Sequence, residues 1–287
     1  MKILPSIQLP DNHNQFFFGD RHIGSALSSD KGWRKLLDVM NSEYDGIPAK
    51  HNYGRQGGDM MEAIMVDDRR AKAETLKEPF VTKQKKMAMA DMEPIKDRLL
   101  NILQGNHELK LWRQGDYAEE IADELGVPYG TYTMKQSILD KRDNLMFKVY
   151  QTHGGKTITS SADDPLRKAT NEKLILKRHL KRKAADCAVM VKHHTHKMIV
   201  AKPESELYLY DDGKQIKQGY TGWGQNEPYI HPDARWYGNA ASFLKLFGKD
   251  ISGYAEVFEL DPTELGWLIL RVRNRKIVDL VPYYIDI

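Results

Sequence analysis

Phe16-Phe17-Phe18-Gly19-Asp20-Arg21-His22 decides how the rest of the chain is read. Three consecutive aromatic residues bounded by a glycine are too short for a helix and read as a buried strand. The Gly-Asp pair breaks that strand and leaves Asp20 and His22 at i and i+2 just beyond it. At that spacing both side chains point to the same side of the sheet edge. A helix is expected next, capped by Ser29 or Asp30, with Trp33, Leu36, Leu37 and Met40 on one face.

The sequence of strand, polar cluster and helix then recurs. Residues 52–56 take the place of a second strand, although their apolar content is poor, and lead to Gly57-Gly58-Asp59. Residues 79–103 read as helical with Pro94 kinking or dividing them; alternatively 101–104 form a short strand before Gly105-Asn106-His107-Glu108. A helix over 117–125 is stopped by Gly126 and Pro128. A strand over 145–150 runs into Thr152-His153-Gly154-Gly155. Pro165 opens a basic helix reaching about Lys183, and a strand over 187–191 ends in Lys192-His193-His194-Thr195-His196. The remainder is read as largely β, with turn signals at Asp212-Gly213, Asn239, Gly248, Gly253 and Asn274. Strands alternating with helices predict an α/β fold, whose ligands gather beyond the strand carboxyl ends.

Composition sets only broad bounds. The chain has 287 residues, 41% hydrophobic and 29% charged, with a net charge of +3, which suits a soluble globular protein and tolerates an anionic substrate. Cys187 is the single cysteine, so no disulfide is available within the chain. The first residues lack the apolar core of a secretory signal, and no stretch approaches the roughly 20 apolar residues that span a bilayer. A cytoplasmic protein without membrane contact is expected; the sequence leaves its oligomeric state open. With no internal repeat or low-complexity linker, residues 1–287 read as a single domain, with a β-rich insertion at about 198–235.

The polar clusters carry the chemistry. Asp20, Asp59, Asn106, His153 and His194 are separated by 39, 47, 47 and 41 residues, each at a strand end. Carboxylate, amide and imidazole donors together suit divalent Mn, Fe, Zn or Ni, and the lack of cysteine ligands argues against a structural zinc site. Alone, each cluster is an ordinary turn. As an ordered set, GDRH, GGDMME, GNHE, THGG and HHTH resemble the calcineurin-like metallophosphoesterase superfamily, whose pattern is D-x-H, G-D-x-x-D/E, G-N-H-D/E, an H before Gly, and G-H-x-H. Residues 238–243, Gly-Asn-Ala-Ala-Ser-Phe, resemble the strand that usually follows the last motif.

The resemblance implies a four-layer α/β/β/α sandwich and a phosphoesterase that hydrolyses a phosphate ester, a diester in nucleic acid or a nucleotide, or a monoester. It implies one metal held by Asp20, His22, Asp59 and His196, and a second held by Asp59, Asn106, His153 and His194. The two ions are expected to be divalent, manganese first, with Fe, Zn or Ni as alternatives. Cations roughly 3.5–4 Å apart can clamp a phosphate and share a hydroxide for in-line attack. His107 would protonate the leaving oxygen, and Glu62 would orient it and raise its pKa. Lys110 stands where relatives often carry a phosphate-binding Arg.

The chain departs from the pattern at two places. His193 replaces the usual Gly before H-x-H, which strains the backbone if that position needs a positive φ, or else brings His193 into the substrate pocket. Ala63 follows Glu62 where protein phosphatases carry Arg, which argues against that activity. The run Lys177-Arg178-His179-Leu180-Lys181-Arg182-Lys183 reads either as a contact for a phosphate backbone or as a solvated helix face. The aromatic stretch 220–236 reads as a lid or as packing for the insertion. The alternative function is a nucleic-acid-binding or regulatory module with little turnover.

Overall fold

The structure, a computed structural model, describes residues 1–65, 68, 72–222, 224–251 and 254–286; the turn signal Gly253 and, within the 220–236 stretch, Trp223 lie outside the described residues. Strands β1 (Lys2–Ile3) and β2 (Ile7–Gln8) lead into β3 (His13–Phe18). Helix α1 (Asp30–Met40) starts where Ser29 Oγ accepts from the Gly32 N–H, and it buries Trp33, Leu36 and Met40, with Leu37 at the flank. Strand β4 (Asn52–Gln56) forms despite its polar sequence because its neighbours bond most of its polar groups. Asn14 Nδ2 donates to Asn52 Oδ1 (2.9 Å), and Arg55 donates to Gln15 Oε1 (2.6 Å) and Asn101 Oδ1 (2.9 Å).

Helix α2 (Val81–Met92) gives way at Pro94 to a 3₁₀ stretch, Glu93–Arg98, because a proline nitrogen cannot donate within a helix but fits the start of one. Strand β5 (Leu99–Ile102) follows, so residues 79–103 are not one helix and the strand reading holds, two residues earlier than expected. Next come α3 (Asn106–Leu109) and α4 (Tyr117–Leu125), the latter closed by Gly126 at φ 68°. Strand β6 (Thr133–Leu139) was not anticipated; its buried face alternates Met134, Gln136 and Ile138, and the polar Gln136 hides the period-two pattern.

The second half contains β7 (Leu145–Thr152), α5 (Pro165–Leu180), β8 (Val189–Lys192), β9 (Ile199–Ala201), β10 (Leu207–Asp211), β11 (Ile216–Tyr220) and β12 (Trp236–Asn239). Helix α6 (Tyr254–Val257) and strands β13 (Gly266–Arg273) and β14 (Lys276–Tyr284) complete the chain. One sheet has the order β14-β13-β3-β4-β5; another runs β1-β6-β7-β8-β12-β9, with β2 also on β6. Strands β3, β4 and β5 are mutually parallel, as are β7, β8 and β12. Each group therefore presents its carboxyl ends along one edge. Within the expected insertion, β9 is an edge strand of the larger sheet, whereas β10 and β11 form a separate hairpin.

The aromatic triplet shows how the layers are divided. Phe16 and Phe18 pack with Trp33, Leu36 and Met40 of α1, Ala88 of α2 and Ile121 of α4. Phe17 faces the other way, into a cluster shared with Phe147, Val149, Val189 and Val191 of the larger sheet. Helix α5 buries Leu176 and Leu180 against Tyr150, Met190 and Tyr237. The fold is mixed α/β. No helix among the described residues is long and apolar enough to cross a membrane.

Candidate metal centre

Five strands of the two parallel groups end in the predicted clusters. Asp20 and His22 follow β3, Asp59 follows β4, Asn106 follows β5, His153 follows β7, and His194 and His196 follow β8. Backbone bonds knit these loops together: Asp20 N–H donates to Gly58 O (2.9 Å), His22 N–H to Asp59 O (3.1 Å), and Phe243 N–H to Asp20 O (3.0 Å). The chain turns sharply to aim the side chains inward. Asp20, His22, Asp59, His194 and His196 all have positive φ, between 49° and 75°, a conformation that non-glycine residues rarely adopt. Five strained residues among seven predicted ligands mark a functional constraint.

The side chains of the candidate ligands come together. Ligand atoms of Asp20, His22 and His196 lie within 4.8 Å of one another, as do those of Asp59, His153 and His194. His153 Nε2 is 3.3 Å from Asp59 Oδ2 and 3.0 Å from Asn106 Oδ1, and His22 Nε2 is 3.9 Å from Asp59 Oδ2. A third group joins His22 and Asp59 to His107. Asp20 Oδ1 and His22 Nε2 are buried with no hydrogen-bond partner among the described residues, although His196 Nε2 stands 3.2 Å from Asp20 Oδ1. Buried polar atoms aimed at a common point and left without partners, as these two are, are what a cation site requires. The residues fit divalent metal.

Outer contacts hold these ligands in orientation. His22 Nδ1 donates to Glu62 Oε2 (2.7 Å), and His153 Nδ1 donates to Gly57 O (2.9 Å), leaving each Nε2 for the centre. Burial alone would lower the pKa of both imidazoles. For His22 the Glu62 carboxylate and then Asp59 outweigh burial, and for His153 the Asp59 carboxylate does; both rise to about 9. Burial likewise opposes ionisation of Asp20 and Asp59, but the nearby His196 imidazole for Asp20, and the charges of His153 and His107 for Asp59, hold the two carboxyls well below the usual range.

Glu62 meets two histidines. Its carboxylate pairs with His22, and it is the Glu62 backbone carbonyl that accepts from His107 Nδ1. Burial pushes the His107 pKa down rather than up, against the attraction of Asp59 and Glu62. His193 also differs from expectation. Its φ is not positive; the ring is fully buried beneath the loops, where a Cβ on Gly57 would come 2.2 Å from its Nε2. It does not line the cavity, and burial holds it neutral, with its pKa lowered to about 3. Lys110 is half-exposed and donates to Asp68 Oδ2 (3.1 Å).

Two residues that sequence reasoning passed over support the site. Glu108 is fully buried and accepts from the backbone N–H groups of Gly105 (2.9 Å), Asp59 (3.1 Å) and Met61 (2.9 Å), tying two ligand loops together. Burial and the Asp59 charge raise its pKa to about 7. Its place at the end of Gly-Asn-His-Glu was the available signal. Asn239 clamps the last loop: Oδ1 accepts from Thr195 Oγ1 (2.9 Å) and Nδ2 donates to Lys197 O (2.6 Å). A cavity of about 850 Å³ opens over the site, lined by His22, Asp59, Asn106, His107, His194 and His196, and extends along α5.

A scan against protein-family models finds no match, and a search of curated proteins finds none. Among solved structures, the chain aligns with the crystal structure of a conserved uncharacterised protein, a predicted phosphoesterase, from Streptococcus pneumoniae TIGR4. Identity is 11% over 95% of this chain and 98% of that one, with a TM-score of 0.32. A likeness at that level carries no argument about this chain, whose functional reading rests on the geometry of its own site.

Proposed function

We propose that this chain is a metal-dependent phosphoesterase of the calcineurin-like type, a single four-layer α/β/β/α domain with inserted β structure between about 198 and 235. The observation that carries the reading is the convergence of seven donor side chains, from five separated segments, around the orphaned Asp20 Oδ1 and His22 Nε2. Asp20, His22, Asp59 and His196 would hold one divalent cation, and Asp59, Asn106, His153 and His194 a second, with Asp59 shared. Manganese is the first choice, and the same oxygen and nitrogen donors accept Fe, Zn or Ni. Bound there, the ions would supply Lewis acidity that polarises a phosphoryl oxygen and makes hydroxide available near pH 7.

The protein's own groups do the rest. Glu62 and the Gly57 carbonyl fix the tautomers of His22 and His153, so that neutral Nε2 atoms face the centre. His107, with Nδ1 committed to the Glu62 carbonyl, presents Nε2 to the cavity. In the resting protein burial favours its neutral form; an anionic ester arriving opposite would raise its pKa and supply the proton for the leaving oxygen. A phosphodiester is favoured over a phosphoprotein because Ala63 stands where protein phosphatases carry Arg.

The test is manganese-stimulated hydrolysis of a bis-aryl phosphate together with metal analysis of the purified protein. Hydrolysis and stoichiometric metal, both lost in Asp59→Asn, are expected. A wild-type protein that takes up no divalent ion would end the proposal.

A further inference from the structure

We infer that the substrate of this site is a small phosphodiester with a single phosphate and an uncharged organic group, and that Glu172 and Asp261 exclude esters bearing a further phosphate. The inference rests on the phosphoesterase reading above and names its substrate class. The cavity over the site has a volume of about 850 Å³, within the range of about 300–1,000 Å³ that encloses a small ligand. Among the described residues that line it beyond the candidate ligands and His107, Lys168, Lys173 and Lys197 are matched by Glu172, Asp261 and Glu264, so the wall carries no net charge. Two of the three cations are also committed. Lys197 Nζ donates to Glu172 Oε1, and these side chains are only 28% and 13% exposed, so water screens that pair little. Lys168 reaches Asp261 at 3.6 Å in a more solvated pair. Glu264 Oε2 accepts from the Met198 N–H (2.9 Å).

That balance decides what the site admits. The charge of the reacting phosphoryl group is met at the proposed metal centre. A second phosphate would meet carboxylates whose lysines are already occupied, and like charges in a partly enclosed cavity repel more strongly than in water. The rest of the wall suits an uncharged group. Leu260 and Tyr284 line the cavity while 41% and 52% exposed, so an aryl, alkyl or nucleoside group can cover them. The basic run of α5 does not alter this. Helical register sets Arg167, Arg178, Lys181 and Arg182 on the side opposite Leu176, Leu180 and the cavity-lining Ala169 and Glu172, which leaves that run a solvated face. A nucleic-acid strand, with a phosphate on either side of the one that reacts, finds only Lys173 uncommitted among the described lining cations.

The test uses the full chain loaded with manganese and two esters that differ in one group: thymidine 5′-(4-nitrophenyl phosphate) and the same compound with a 3′-phosphate. Both release nitrophenolate, so the reacting bond is constant. In the wild type the KM of the ester with the extra phosphate should be at least about tenfold higher. Glu172→Gln/Asp261→Asn frees Lys197 and Lys168 and should bring the two KM values within about threefold of each other, a convergence that lost stability alone would not produce. If a melting curve shows that this variant does not fold, Asp261→Asn alone, at a side chain 88% exposed, should move the ratio in the same direction. Equal KM values in the wild type would overturn the inference, as would a ratio unmoved by the substitutions or a DNA oligonucleotide hydrolysed as efficiently as the thymidine ester. The phosphoesterase reading would survive each of these results. If no ester is hydrolysed with any divalent metal, that reading fails and takes the substrate class with it.

Discussion

Glu108 sets the geometry of the proposed metal centre without facing the cavity. Its two oxygens serve three backbone donors, on Gly105, Asp59 and Met61, and so fix the distance between the loop that carries Asp59 and the loop that carries Asn106. Glu108→Gln replaces one acceptor with a donor that faces those N–H groups. It should weaken manganese binding by about 10- to 100-fold and cost about 1–3 kcal/mol of stability; calorimetric titration and thermal melts would check both. His107 can be separated from the ligands by its leaving-group dependence. A nitrophenolate departs without a proton and an alkoxide does not, so His107→Asn should slow alkyl esters far more than nitrophenyl esters while metal content stays at the wild-type level. Equal losses on both would show that His107 is not the proton donor.

Elements meet at this site with almost no free volume. The loop after β4 passes so close to the loop after β8 that the Gly57 Cα lies against the His193 ring, and a Cβ at Gly105 would come 2.0 Å from Asp59 Oδ1. Gly57→Ala should therefore push β4 and β8 apart and abolish metal uptake. Gly57→Ala/His193→Gly should recover part of it, because the second change vacates the space the methyl needs; metal analysis and a melting curve decide. A site preserved in the single variant would show that the loops shift independently. Most of these elements could be read in the chain itself. The Phe16-Phe17-Phe18 strand, the Ser29 cap and the stop at Gly126 are local signals, each with a local cause. Strand β4 was the hardest to see because Asn52 and Arg55 find their partners on β3 and β5, far away in sequence. Strand β6 was missed for a similar reason: Gln136 interrupts its apolar face, and its amide donates to Pro5 O (3.1 Å), far away in sequence.

At the scale of the molecule, metal and protons compete. His22 and His153 are raised to about 9 in the metal-free fold, so their contribution to stability is complete below the unfolded value of 6.5 and is lost as pH rises through 9. His13, buried and lowered to about 4, works the other way: its contribution is present above 6.5 and lost as pH falls through 4. Chelator-treated protein should melt at lower temperature on going from pH 6.5 to 9. Manganese, which needs both imidazoles neutral, should remove that alkaline loss and release protons on binding. A melting temperature flat across that range without metal would contradict the assignment.

Which residues are candidate donors, and in what order, was written in the sequence, because spacing after each strand is a local property of the chain. So was the division of the aromatic triplet between two cores, since alternation follows from strand geometry. Only the folded chain decided that the Glu62 carboxylate meets His22 while its carbonyl meets His107, that Glu108 joins two loops, and that His193 lies beneath the site rather than in it. Those outcomes depend on which groups burial leaves without water, and desolvation is set by segments from 40 to more than a hundred residues apart coming into contact.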